Sequence, residues 1–240
     1  MGARMNAPQA IEQEQRAPIG FVEFVALVAS LMALTALGID SMLPALPAIG
    51  TALGVASENH RQFVISAFLL GFGLAQLVHG PLADRCGRRP VLLAALAAYV
   101  VANLVAAVSS SFVLLLAARF AGGLAIAASR VVTVALVRDC YSGRAMARVM
   151  SLAFMVFMAA PVLAPSFGQL ILLFGSWRLI FVLIAVVSGG VLAWFAIRMP
   201  ETLPPARRHP LSVARLAADW RTTLTERASI GYTLAATALL

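Results

Sequence analysis

The chain has 240 residues, 61% of them hydrophobic and 12% charged, with a mean hydropathy of +0.92 and a net charge of +8. Soluble domains run near 45–50% apolar and about 25% charged, and one soluble core cannot hide this much apolar surface. A soluble enzyme, a disordered tail and a nucleic-acid module are therefore excluded, and the solvent for most of the sequence is lipid. All 18 basic residues are Arg, so where they stand says more than how many there are. The two cysteines, Cys86 and Cys140, are too few for a disulfide framework and read as small apolar fillers.

In chain order, residues 1–18 read as a polar cytoplasmic tail. Six apolar stretches follow at 19–39, 62–83, 90–109, 112–137, 149–174 and 178–198, each long enough to cross about 30 Å of hydrocarbon. In lipid every backbone donor and acceptor must be paired within its own segment, so each stretch is predicted to be a helix. Residues 199–228 are expected to form a cytoplasmic connector. Its prolines stop the sixth helix, and Val213, Leu216, Trp220 and Leu224 then recur at the spacing of an amphipathic, interfacial helix. Residues 229–240 are apolar but number only twelve, and read as the start of a seventh span cut short.

Arginine placement sets the orientation. Arg4, Arg16, Arg85, Arg88, Arg89, Arg138, Arg144, Arg148, Arg198, Arg207, Arg208, Arg215, Arg221 and Arg227 fall on one side, against Arg61 and Arg178 on the other. The positive-inside rule puts the N-terminus in the cytoplasm.

The richest segment is Gly80-Pro-Leu-Ala-Asp-Arg-Cys-Gly-Arg-Arg-Pro90. Gly80 and Gly87 are expected to allow a tight turn, and Pro90 suits the first position of the third helix. Asp84, beside Arg85, Arg88 and Arg89, is placed to cap a helix N-terminus and to pair with a guanidinium. This segment resembles the signature cytoplasmic loop of the major facilitator superfamily. Asp40-Ser-Met-Leu-Pro44-Ala-Leu-Pro47, Phe68 to Gln76, Arg138-Asp139-Cys-Tyr141, Ala160 to Pro165, Ser176-Trp-Arg and Pro200-Glu-Thr-Leu203 are similar to its drug:proton antiporters of the bicyclomycin-resistance (Bcr/CflA) type. Ala164 and Gln169 depart from the glycines usual in the fifth-span antiporter motif, and Arg130 stands where relatives tend to have a small neutral residue.

The resemblance implies an all-α integral membrane bundle of six helices in two three-helix repeats, with a seventh beginning. It also implies proton-coupled efflux of small apolar or cationic drug-like compounds across a bacterial inner membrane. Uptake of a nutrient by the same fold, or a half-length membrane protein that does not transport, are the alternatives. No metal-ligand spacing, hydrolase triad or phosphate-binding loop is present, so no cofactor is expected beyond a proton gradient. The expected partners are a small-molecule substrate, protons, the bilayer and a missing C-terminal half, with no nucleic acid.

Ionisable groups inside the bilayer are costly and are functional candidates by default. Asp40 ends the first span and is placed to carry a proton. Arg119 and Arg130 lie eleven residues apart, which is 1100° of helix rotation and leaves both on one face. The resemblance implicates Arg119 in proton coupling, and pairing with Asp40 is expected. Gln76, Met158 and Gln169 are cavity candidates. Pro44 and Pro47, and Pro161, Pro165 and Gly168, are expected to bend their helices. The resemblance further implies that Asp84, Arg85, Arg88, Arg89 and Asp139 form a cytoplasmic lock between transporter halves, with Gly80 and Gly87 shaping its loop. Ala67, Gly71 and Ala75 make a small-xxx-small stripe for close helix packing.

Overall fold

The computed structural model describes residues 17–208 together with Thr225 and Glu226. The predicted tail, most of the connector with its amphipathic helix, and the start of the seventh span lie outside the described residues. Among the described residues the structure is all helix and turn: α1 Phe21–Asp40, a 3₁₀ turn Leu43–Ala45, α2 Leu46–Ala52, α3 Glu58–Arg61, α4 Phe63–Cys86, α5 Arg88–Ala107, α6 Phe112–Cys140, α7 Gly143–Phe174 and α8 Arg178–Arg198. Six segments are long and apolar enough to cross a membrane, as the sequence predicts: Phe21–Ala52, Glu58–Cys86, Arg88–Ala107, Phe112–Cys140, Gly143–Phe174 and Arg178–Arg198.

Several boundaries differ from the sequence reading. The first span does not end at Ile39. Pro44 and Pro47 sit at the starts of the 3₁₀ turn and of α2, positions where a missing N–H costs little, so the apolar run continues to Ala52. Asp40 therefore stands at a break within the span and not at its end. The fifth span starts earlier, at Gly143. Between the second and third spans most of the expected loop is helix, because α4 runs through Gly80 and Pro81 to Cys86. Gly87 alone makes the turn, at φ 102°, a backbone region that side chains disfavour. Pro90 takes the third position of α5, not the first.

Burying apolar side chains drives little association in lipid, where close helix approach does the work instead. The crossing of α4 and α6 shows how. Gly71 faces the Phe120 carbonyl and the Leu124 amide of α6, and Gly123 faces the Phe68 carbonyl and the Phe72 amide of α4. A Cβ at either glycine would strike the other helix's backbone. The small-residue stripe on α4 thus meets a glycine on its partner. Between the helices Phe24, Leu31, Phe68, Tyr99, Leu115, Phe181 and Phe195 are fully buried. By contrast α7 buries only Val149, Ala153, Ala164 and Gly168.

Two apolar crevices mark the internal repeat. One of about 720 Å³ lies between α4, α5 and α6, near Cys86, and the other of about 280 Å³ lies between α1, α7 and α8, near Ser41. Exchanging spans one to three with spans four to six maps the first set of helices onto the second, at opposite ends of the bundle. That is the relation inverted repeats produce.

Candidate functional site

At the end of the bundle where α4 hands over to α5, one guanidinium gathers three elements. Arg88 is 8% exposed. It pairs with Asp84, one turn earlier on α4, and donates Nε to Oδ2 of Asp139 near the end of α6 at 3.1 Å. Thr202 Oγ1 donates to the same Asp139 oxygen at 3.2 Å. The structure thus brings together Asp84, Arg88 and Asp139, three members of the predicted cluster. Arg85 is exposed, with no charged partner among the described residues.

Asp84 caps no helix start. That place belongs to Glu201, just past α8, whose carboxylate accepts from the backbone N–H groups of Arg88 (2.9 Å) and Arg89 (3.2 Å) and from that of Leu203 (3.0 Å). A carboxylate there meets both the free N–H groups and the positive end of the α5 dipole. Arg89 does the converse. Its Nε donates to the Met199 carbonyl at 2.8 Å and its Nη2 to the Ala196 carbonyl at 2.7 Å, closing the C-terminal end of α8. The start of α5 and the end of α8 therefore cap each other. Sequence reasoning quoted Glu201 but gave it no role. The available signal was an acidic residue directly after the sixth span, on the side where three loop arginines await a partner.

A second contact escaped the sequence reading. Glu23, in the first turn of α1, accepts Nε and Nη2 of Arg198 at 2.6 and 2.7 Å and the Trp194 indole N–H at 3.2 Å. A bidentate pair of this kind has fixed geometry, and it ties the first span to the sixth at the same end as the Arg88 cluster.

Deeper in the bundle, Arg119 is 2% exposed. Its Nη2 donates to the Gly38 carbonyl at 2.8 Å and its Nε to the Val64 carbonyl at 3.2 Å. The guanidinium lies 4.2 Å from the centre of the Phe68 ring and 5.8 Å from that of Phe181. Asp40 is only two residues beyond Gly38 but makes no ion pair with any described residue. The expected Asp40–Arg119 pair is therefore not formed, because the guanidinium is taken up by two main-chain carbonyls, that of Gly38 on α1 and that of Val64 on α4.

Nor do Arg119 and Arg130 share a cavity. Arg130, half-buried, lies 5.5 Å from the Phe154 ring centre and 5.0 Å from that of Phe157, both on α7. A charge at the middle of a span costs about 2.5–3.5 kcal/mol on insertion scales, and each ring face returns about 0.5–2 kcal/mol.

The remaining candidates are dispersed. Gln76 is half-buried on α4; Met158 and Gln169 are exposed on α7. The α7 helix runs unbroken through Pro161 and Pro165. Gly168 serves close approach, since a Cβ there would meet the Ser41 carbonyl. The predicted filler Cys86 is exposed, whereas Cys140 is buried. His79 is placed by a 2.8 Å contact of Nδ1 with the Ala75 carbonyl.

With this geometry in place, the sequence profile of the Major Facilitator Superfamily matches residues 28–240. The chain belongs to this superfamily. It is 34% identical over 210 residues to an uncharacterised MFS-type transporter, YdgK, of Bacillus subtilis, covering 87% of this chain and 52% of that protein. It is 36% identical over 162 residues to multidrug resistance protein D of Escherichia coli (68% and 41% of the two chains). It is also 36% identical over 169 residues to the E. coli multidrug resistance protein MdtL (70% and 43%). The chain spans about half the length of the curated relatives it matches. Among solved structures it resembles the human organic anion transporter MFSD10 (TM-score 0.64, 24% identity, covering 83% of this chain and 53% of that one). It also resembles a peptide transporter of the POT type (TM-score 0.69, 16% identity, 96% and 50%). These two likenesses establish the MFS fold.

Proposed function

We propose that the chain forms one six-helix half of a secondary active exporter that moves small, largely apolar, drug-like compounds out of a bacterial cell in exchange for protons. Its bundle lies in the inner membrane with the N-terminus and the Arg88 end in the cytoplasm, the orientation that keeps nearly all loop arginines inside. A second six-helix half supplies the opposite wall of the transport path. Asp40, at the break in the first span, carries the proton, and Arg119 sets the electrostatic background of α1 by holding the carbonyl two residues before it.

The observation that carries this reading is the buried Arg88 guanidinium shared by carboxylates of two different helices. The knot joins the second, third and fourth spans inside this half, so it stiffens the end of the half that rocks against its partner and does not bridge the two halves as the resemblance had implied. The two relatives named for multidrug resistance support the direction of transport.

The test is efflux of an apolar fluorescent dye from cells expressing the full-length gene product. Efflux is expected to collapse on adding a protonophore, and Asp84→Asn is expected to abolish it while the protein still reaches the membrane. Dye movement that runs only downhill and ignores the protonophore favours uptake or facilitation instead.

A further inference from the structure

One helix, α6, carries two guanidinium groups, and the fold provides for only one of them. Arg119 is sealed, with carbonyl acceptors for Nε and Nη2. Arg130 is half-buried, and none of its guanidinium N–H groups reaches an acceptor or a carboxylate among the described residues. Its neighbours are the ring faces of Phe154 and Phe157. Ring faces attract a cation but offer no lone pairs to its five donors. Ten residues separate Arg130 from the Cys140 end of α6, about 15 Å of helix, so its backbone stands well inside the span and not at its end. On α7, one turn on from Phe154 and on the same side of the helix, Met158 is 72% exposed. Methionine side chains adapt to apolar shapes of many kinds.

We infer that Arg130 anchors a binding site for small amphipathic organic anions. The carboxylate or sulfonate of the ligand accepts from the guanidinium fork, which matches such groups two bonds at a time. Its apolar body lies along Phe154, Phe157 and the open Met158. This site rests on the transport reading and narrows it: an unpaired fixed cation repels cationic compounds, so the favoured substrates are acidic or zwitterionic.

The test is equilibrium dialysis with the full-length gene product in nanodiscs of phosphatidylcholine alone, using two probes of one shape and opposite charge, 1-naphthylacetate and 1-naphthylmethylammonium. The anion is expected to bind at least about tenfold more tightly, a difference of about 1.4 kcal/mol. Arg130→Gln is expected to remove that preference without weakening the cation. Arg130→Lys should retain part of it, since the charge stays and the fork is lost; this variant also stands in should the first fail to fold. Equal binding of both probes by the parent protein, or unchanged anion binding by Arg130→Gln, would overturn the assignment. So would loss of naphthylacetate binding when phosphatidylglycerol is added to the nanodiscs, because the occupant would then be a lipid headgroup. Anion binding through Arg130 combined with protonophore-insensitive dye movement separates the two ideas, keeping this site and rejecting proton-coupled export.

Discussion

Replacing Glu201 with alanine takes three backbone N–H groups away from one acceptor, those of Arg88 at 2.9 Å, Arg89 at 3.2 Å and Leu203 at 3.0 Å. It also removes the contact with Arg208 Nη2 at 3.9 Å. A lost N-terminal cap costs about 1 kcal/mol, and a hydrogen bond to a charged group is worth about 1.5–3 kcal/mol. The carboxylate side chain is 25% exposed, so solvent lowers these values, and the long Arg208 contact adds about 0–0.5 kcal/mol. The expected loss is about 2–4 kcal/mol. At the 2–4 °C per kcal/mol typical of soluble chains this size, the melting temperature falls by about 4–16 °C. Glu201→Gln keeps an acceptor oxygen and loses mainly the attraction to the helix dipole, about 0.3–1 kcal/mol. The assay is thermal unfolding in mild detergent, read by a thiol-reactive dye in a Cys86→Ala background, so that exposure of buried Cys140 reports melting. Alanine and glutamine variants that melt together, or an alanine variant within about 1 °C of the parent, would refute the capping argument.

Three further outcomes follow from the same geometry. Gly123→Ala is expected to separate α4 from α6 and to lower both melting temperature and yield, whereas the same change at Gly73, where a Cβ meets nothing within 4 Å, should leave both unchanged. In membrane vesicles, N-ethylmaleimide should label exposed Cys86 at least about tenfold faster than Cys140, which is 5% exposed. A membrane-impermeant maleimide should reach Cys86 only in inside-out vesicles if the Arg88 end is cytoplasmic; labelling from the opposite side inverts the proposed orientation. Glu23→Arg combined with Arg198→Glu should restore the near-ultraviolet circular dichroism of Trp194 that either single change disturbs, and failure to restore it would detach the indole from this pair.

The six spans were legible because lipid imposes one requirement on every residue they contain, and apolar length alone meets it. Their ends were less so. Whether the chain stops at Asp40 or continues through Pro44 depends on two prolines that suit a helix start as well as a helix stop. In the candidate site, Asp84, Arg88 and Asp139 were found because opposite charges on one side of a membrane have few places to go. Glu201 was missed because its target is a pair of backbone amides, groups that carry no letter in a sequence. The Arg119 partners were missed for the same reason: Gly38 and Val64 act through carbonyls, and a titratable neighbour at Asp40 drew attention away from them.

The paired glycines where α4 crosses α6 set a limit on motion. The obstacle each one avoids is main chain, which no change of rotamer can move aside, so these two helices travel as a single lever with no slip along their seam. Any displacement of α4 therefore carries α6 with it. The close approach of Gly168 to the Ser41 carbonyl sets the same kind of main-chain limit between α7 and the first span.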